Sequence, residues 1–134
     1  MSNEELIRIA TLARKNGYAP LTNYKVGAAL LAKSGTVYIG ANFEAPSAIA
    51  SNNCAERVAI QAAYAHGERE FLKIAIVGGN ENINCLSDTL VPCGACLQLI
   101  NEICKNVDII CYIKGKLVTR KIDDFLSVPY DLEK

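Results

Sequence analysis

The chain of 134 residues lacks several features that mark other classes of protein. It carries no net charge, since 14 Lys and Arg balance 14 Asp and Glu. Nucleic-acid affinity comes mainly from phosphate neutralisation by a basic face, so this balance argues against a nucleic-acid partner. No stretch reaches the roughly 18 apolar residues of a membrane-spanning helix, so no membrane association is expected. A small, uncharged or weakly charged ligand is the expected partner.

The N-terminal stretch lacks the uninterrupted apolar core of a signal peptide, because charged residues run through MSNEELIRIATLARKNG. We therefore expect a cytoplasmic protein, in which thiols stay reduced. Its six cysteines are then more readily assigned to a metal site or to catalysis than to disulfides. Internal repeats and low-complexity linkers are also missing. Because the length fits one domain, a single domain over residues 1–134 is predicted.

The apolar pattern predicts helices that alternate with short strands. Ser2 and Glu5 fit a capping box for a first helix, and Gly17 is expected to end that helix in the left-handed conformation. Two more helices are predicted at 54–67 and 93–104, and strands at 25–32, 36–40, 72–79, 107–113 and 117–122. The run 72–79 should be buried on both faces, and 117–122 should lie at an edge. The fold class is therefore α/β, a three-layer α/β/α sandwich around a five-stranded mixed sheet.

Two cysteine motifs open the second and third predicted helices. Cys54 lies in NCAER, and Cys93 and Cys96 lie in PCGAC at 92–96. The partial positive charge of a helix N-terminus favours the thiolate form that zinc requires. Two such helix starts can lie side by side at the ends of adjacent strands. Three thiolates would bind Zn²⁺ and leave its fourth tetrahedral position open, as catalytic zinc sites do.

Glu56 follows Cys54 by two residues, which would turn its side chain toward the space beside the metal. A carboxylate there can accept a proton from water and return it to a substrate, so Glu56 is the candidate general acid and base. Cysteine ligands, a nearby glutamate and a downstream P-C-x-x-C are together typical of zinc deaminases.

The cysteines are also compatible with two other kinds of site when the residues are taken alone. The C-x-x-C pair could be the redox pair of a thiol oxidoreductase, which would hold no zinc. A structural zinc site with four thiolates could take its last ligand from Cys85, Cys104 or Cys111. The last two of these fit apolar packing positions, where cysteine behaves as a small hydrophobe. The only histidine, His66, ends a predicted helix and is expected at the surface rather than on a metal.

The combination of CAER and PCGAC, preceded by VGAALL and NFE, resembles the small homotetrameric zinc-dependent cytidine deaminases. The resemblance runs from YAPLTNYKVGAAL to DDFLSVPY. The cysteine that precedes Ala55 resembles the cysteine at the same position in family members that act on free nucleosides. It implies the cytidine deaminase-like fold, one zinc per subunit and a homotetramer in pyrimidine salvage. Glu56 would move protons while water attacks ring C4. Cytidine or deoxycytidine would become uridine or deoxyuridine plus ammonia.

The resemblance also implies roles for individual residues. Cys54, Cys93 and Cys96 would bind the zinc. Arg57 would hydrogen-bond their sulfurs and offset the formal charge of minus one that three thiolates leave on Zn²⁺. The contacts to the nucleoside would be Asn42 and Glu44 at the ribose hydroxyls, Tyr24 against the pyrimidine, the backbone of Ala55 at the polar edge of the ring, and Tyr130 from a neighbouring subunit.

The sequence departs from the family pattern in four places. Leu97 stands where an arginine usually follows the second cysteine, and segment 45–53 is longer and lacks the usual asparagine and tyrosine. The loop before Pro92 is long, and Tyr130 replaces a phenylalanine. These changes keep open a deaminase for a modified cytosine nucleoside of the blasticidin S type. A non-catalytic zinc-binding subunit is the alternative from another class. Glu56 argues against it, because a structural subunit needs no carboxylate beside an open metal position.

Overall fold

The computed structural model describes residues 1–81 and 86–125, and its elements follow the predicted order. The helices are α1 (Asn3–Arg14), α2 (Ala55–Ala65) and α3 (Gly94–Ile103). The strands are β1 (Tyr24–Ala32), β2 (Val37–Ala41), β3 (Phe71–Asn80), β4 (Asp108–Ile113) and β5 (Lys116–Arg120). Two short 3₁₀ turns lie at Ile49–Ser51 and Ile122–Asp124.

The five strands form one mixed sheet in the order β2-β1-β3-β4-β5. The β3 and β4 strands pair in parallel, and the other three neighbouring pairs are antiparallel. Of the run 72–79 that was predicted to be buried on both faces, residues 74–79 are buried, whereas Leu72 is exposed and Lys73 is half-buried near the start of β3. The β5 strand lies at an edge, as predicted. None of the helices in the described ranges is long and apolar enough to cross a bilayer.

Helices cover both faces of this sheet. The α1 helix packs Leu6, Ile7 and Ala10 on one face, against residues that include Leu31 and Val77. The α2 and α3 helices pack on the opposite face, where the second apolar cluster includes Ala59, Ile60, Ile74, Ile76 and Ile100. This arrangement confirms the three-layer α/β/α sandwich.

Small residues bring α2 close to the sheet. A Cβ added to Gly40 of β2 would come within 2.1 Å of the Ala55 carbonyl oxygen and 2.6 Å of the Ala59 backbone nitrogen. The absence of a side chain at Gly40 therefore permits the backbone of α2 to approach the strand. The start of α2, and Cys54 with it, is thereby fixed over the end of β2.

The two ends of α1 differ in how well the sequence predicted them. The Ser2 hydroxyl accepts a hydrogen bond from the Glu5 backbone nitrogen at 3.1 Å, which confirms the N-cap. The prediction for Gly17 is wrong, because α1 ends at Arg14 with Lys15 as its C-cap in the right-handed region, and Gly17 has no positive φ. Its lack of a side chain serves a close approach instead. A Cβ there would lie 2.6 Å from Oδ1 of Asn42.

Candidate metal centre

The three cysteines of the two motifs meet where α2 and α3 begin. Cys54 is the N-cap of α2 and Cys93 is the N-cap of α3, both with extended backbone. Cys96 lies in the first turn of α3 and is buried. Their three sulfur atoms all lie within 4.8 Å of one another. The structure therefore brings together the three thiols that the sequence singled out.

The electrostatics of this group suit a divalent cation. A hydrogen bond from Cys96 lowers the pKa of the Cys54 thiol, and the Arg57 guanidinium lowers it further by donating from Nη2 to Cys54 Sγ at 3.1 Å. The same bond to Cys54 raises the pKa of Cys96, and burial raises it further. Of this pair, Cys54 is therefore the thiol that ionises more readily. Three close thiolates are a donor set that Zn²⁺ accepts in tetrahedral geometry.

A fourth protein ligand does not join this group among the residues that the structure describes. Cys104 lies at the end of α3 and Cys111 in β4, both buried in the apolar cluster between the sheet and α2 and α3. A structural site completed by either one is therefore wrong, whereas Cys85 lies outside the described residues. His66 is exposed at the end of α2, with Nδ1 2.9 Å from the Ala62 carbonyl oxygen.

Glu56 is the second residue of α2 and only 5% exposed, the one buried charged side chain in the described ranges. Burial raises the pKa of its carboxyl group, because the charged form loses its hydration, and the negative charge on Cys54 raises it further. A raised pKa makes a carboxyl group better able to donate a proton as well as to accept one.

An open cavity of about 500 Å³ lies in front of the two motifs. The predicted site residues that line it are Tyr24, Asn42, Glu44, Cys54, Ala55, Glu56, Arg57 and Cys93. As the first residue of α2, Ala55 has a backbone N–H with no acceptor inside the helix. Tyr130 lies outside the described residues.

Asn42 follows β2 and is held by the first residues of β1. Its Oδ1 accepts from the Val26 backbone nitrogen at 2.9 Å, and its Nδ2 donates to the Tyr24 carbonyl oxygen at 2.8 Å. A side-chain amide has two acceptor and two donor positions, so one of each is left for a ligand in the cavity. The amide is therefore fixed in orientation before any ligand arrives.

Glu44 is held by the loop that precedes β1. Its Oε1 accepts from the backbone nitrogens of Leu21 and Thr22 at 3.0 and 3.1 Å, and its Oε2 accepts from the Thr22 hydroxyl at 2.7 Å. These bonds, the Thr22 hydroxyl first among them, hold the pKa of Glu44 below its usual value. The carboxylate is therefore charged and oriented, and one acceptor position remains for a ligand.

Sequence reasoning missed several residues of the cavity wall. The unpredicted residues that line it are Thr22, Val26, Phe43, Asn52, Asn53, Ile76, Leu90 and Val91. For Asn53 a signal existed, since it directly precedes Cys54 and its Oδ1 accepts from the Cys54 backbone nitrogen at 3.1 Å. Val26 and Phe43 lie in the VGAALL and NFE stretches, which named no role for them. The remaining residues belong to segments without a motif, and the fold brings them to the site.

Comparison with known proteins agrees with this geometry. The model of the cytidine and deoxycytidylate deaminase zinc-binding region matches residues 1–112. The chain is 43% identical over 104 residues to a cytidine deaminase of Sporosarcina psychrophila, covering 78% of this chain and 71% of that protein. It is 41% identical to a cytidine deaminase of Halalkalibacterium halodurans, covering 78% and 74%.

Solved structures share the fold along nearly the whole chain. A cytidine deaminase from Burkholderia pseudomallei superposes with a TM-score of 0.84 at 36% identity, covering 97% of this chain and all of that one. A cytidine deaminase from Mycobacterium tuberculosis superposes with a TM-score of 0.80 at 28% identity, covering 98% and 99%.

Proposed function

This chain belongs to the family of cytidine and deoxycytidylate deaminases, and we propose that it hydrolyses free cytidine or deoxycytidine to the uracil nucleoside and ammonia. Membership makes it a deaminase with zinc as its metal. One observation carries the proposal: the three sulfurs meet beside Glu56, the buried carboxyl group, at the wall of an open cavity.

Cys54, Cys93 and Cys96 would hold the zinc, which when bound lowers the pKa of water and so supplies the nucleophile. Glu56 would take one proton from the attacking water and deliver it to N3 of the cytosine ring. It then carries the second proton of the water to the exocyclic amine, and the C4–N bond breaks. One water is consumed and one ammonia leaves. Glu56 ends the cycle as it began it.

Arg57 acts on the sulfurs rather than on the substrate. Its hydrogen bond to Cys54 Sγ raises the pKa of the guanidinium, which stays charged. Three thiolates exceed the charge of Zn²⁺ by one, and excess negative charge would make water a weaker acid. A guanidinium at the sulfur offsets that excess.

The charges of the cavity favour a nucleoside over a nucleotide. Arg57 is the one lysine or arginine among the described lining residues, and its guanidinium already donates to Cys54. A phosphate would meet the Glu44 carboxylate without a compensating cation. The remaining acceptor of Glu44 and the remaining amide groups of Asn42 suit sugar hydroxyls, and Tyr24 suits the face of a pyrimidine.

We also propose that copies of the chain assemble as a homotetramer around these cavities. Phe43 and Val91 line the cavity and are exposed, and the exposed ring of Tyr18 lies 5.6 Å from that of Phe43. Single exposed apolar residues are ordinary, but apolar side chains grouped at a cavity suit a surface covered by a second copy. Light scattering on the eluting protein should give four chains, and a monomer would contradict this. The cytoplasmic location, the role in pyrimidine salvage and the contact by Tyr130 stay predictions.

The direct test follows the absorbance of cytidine and deoxycytidine with the purified protein, with and without a zinc chelator. We expect loss of the cytosine absorbance and release of one ammonia per nucleoside, both abolished by the chelator and restored by Zn²⁺. Deoxycytidylate and blasticidin S serve as comparison substrates. Turnover of blasticidin S alone would contradict the proposed substrate, and turnover of deoxycytidylate alone would contradict the charge argument.

A further inference from the structure

The ring of Tyr24 lies between the sheet and the loop that leads to the second cysteine motif. A Cβ added to Gly78 of β3 would lie 2.9 Å from Cε1 and 3.0 Å from the hydroxyl oxygen of Tyr24, and 2.7 Å from Cδ2 of Leu90. The missing side chain of Gly78 thus leaves room in which the Tyr24 ring and the Leu90 side chain both lie against the strand. Tyr24 and Leu90 also line the cavity.

The hydroxyl of Tyr24 has a specific partner on this loop. It donates to the hydroxyl oxygen of Ser87 at 2.7 Å, in a partly buried contact. Ser87 is itself fixed on the sheet, since its backbone nitrogen donates to the Gly78 carbonyl oxygen at 2.7 Å. The Tyr24 hydroxyl is thus bonded to a residue whose own backbone is hydrogen-bonded to β3.

We propose that Ser87 is a positioning residue for substrate binding, which holds the Tyr24 ring as a fixed wall of the cavity through their hydroxyl–hydroxyl bond. The inference rests on the proposed function, because it assigns the ring to a cytosine nucleoside. A ring held at Cβ alone can turn about its side-chain torsions. A second attachment at the hydroxyl restricts that motion before the ligand arrives, and less ordering is then left for binding.

The loop carries a matched control for this inference. The Thr89 hydroxyl oxygen accepts from the Lys114 backbone nitrogen at 2.8 Å, in the turn between β4 and β5. Thr89 therefore ties the same loop to the protein through a side-chain hydroxyl, but to the turn rather than to Tyr24, and it does not line the cavity. Comparing Ser87→Ala with Thr89→Ala separates ring positioning from general attachment of the loop.

The experiment measures KM and kcat for cytidine, and the dissociation constant of uridine, in the wild type, Ser87→Ala, Tyr24→Phe, the double variant and Thr89→Ala. One hydrogen bond contributes modestly, so we expect Ser87→Ala and Tyr24→Phe each to weaken uridine binding and raise KM roughly two- to tenfold. The double variant should lose no more than the weaker-binding single variant, because both remove the same bond. In Ser87→Ala kcat should stay close to the wild-type value, and Thr89→Ala should leave KM unchanged.

Three results would overturn the inference: an unchanged KM and uridine affinity in Ser87→Ala, additive losses in the double variant, or an equal loss in Thr89→Ala. Failure of the proposed function is distinguishable, since the wild type would then release no ammonia from cytidine. In that case the hydrogen bond between Tyr24 and Ser87 is tested by thermal unfolding of the same variants. Energetic coupling between Tyr24→Phe and Ser87→Ala supports the bond, and its absence refutes it.

Discussion

Replacing Glu56 by glutamine should remove most of the catalysis while leaving the fold and the zinc in place. The amide has the shape of the carboxyl group, so the buried position in α2 stays filled, and the three sulfurs are untouched. It cannot take a proton from water. A positioned acid and base contributes about 10²- to 10⁴-fold, so kcat should fall by at least that factor, or roughly 3–5.5 kcal/mol of transition-state stabilisation.

The same substitution should not lower the stability of the metal-free protein, although it lowers the activity. Burial raises the pKa of Glu56 because its charged form is poorly solvated. The folded state then disfavours a charge that the unfolded state tolerates, so the contribution of this carboxyl group to stability falls as the pH rises from its unfolded pKa to its higher folded pKa. Near neutral pH, Glu56→Gln should therefore unfold at the same temperature as the wild type or a higher one.

The assay is single-turnover and steady-state ammonia release, together with zinc content and thermal unfolding. Glu68→Gln is the matched control: it removes the same charge from a partly buried carboxylate that accepts from the Ser34 and Tyr38 hydroxyls away from the cavity. Its kcat should equal that of the wild type. If Glu56→Gln with zinc bound kept more than about a tenth of the activity, the proton transfer assigned to Glu56 would be wrong, and a non-catalytic role for this carboxyl group would follow.

Three further predictions concern the metal, the sugar contact and the fold. Cys54→Ser should retain far less zinc than the wild type after dialysis against a chelator, and equal zinc by elemental analysis would contradict a three-thiolate site. Thr22→Val removes the hydrogen bond that most lowers the pKa of Glu44, so Glu44 should become protonated at a higher pH than in the wild type. On acidification, KM for cytidine should therefore begin to rise at a higher pH, and an unshifted pH profile would contradict this contact. Gly40→Ala forces a methyl group against α2, so it should lower the free energy of unfolding by about 3 kcal/mol and the unfolding temperature by roughly 10 °C. Gly94→Ala is the control, because nothing lies within 4 Å of its added Cβ, and equal stability of the two variants would contradict the packing.

The sequence was sufficient for the fold because its local signals agree with each other. Short apolar runs bounded by turn residues predicted the strands, and apolar residues at helical spacing together with capping residues predicted the helices. For residues 74–79 the unbroken apolar run also gave the burial on both faces. The error at Gly17 arose because a glycine after a helix can serve either a left-handed turn or a close approach. Here it makes space for Asn42, which lies on a different segment and has no local signal.

The metal centre was predictable for a related reason. Cys54 and Cys93 are helix N-caps, and Cys96 and Glu56 lie within the first turn after those caps, so helical geometry alone fixes their directions. The contacts that orient the rest of the cavity have no such periodicity. The bond between Tyr24 and Ser87 joins residues 63 positions apart, and Thr22 holds Glu44 across 22 positions. Only the fold brings these hydroxyls to their partners.

Leu97 stands at the position where the family pattern has an arginine, so this chain lacks one positive charge beside its cysteine motif. Its side chain is 5% exposed and belongs to the apolar cluster beneath α2 and α3, so a guanidinium there would have to be buried or leave this position. Zinc with three thiolates carries one excess negative charge, and Arg57 on Cys54 offsets one. No second cation then remains among the described lining residues to favour an ionised Glu56. Burial and the neighbouring Cys54 thiolate raise the pKa of Glu56, and a raised pKa suits a carboxyl group that donates a proton as well as accepting one.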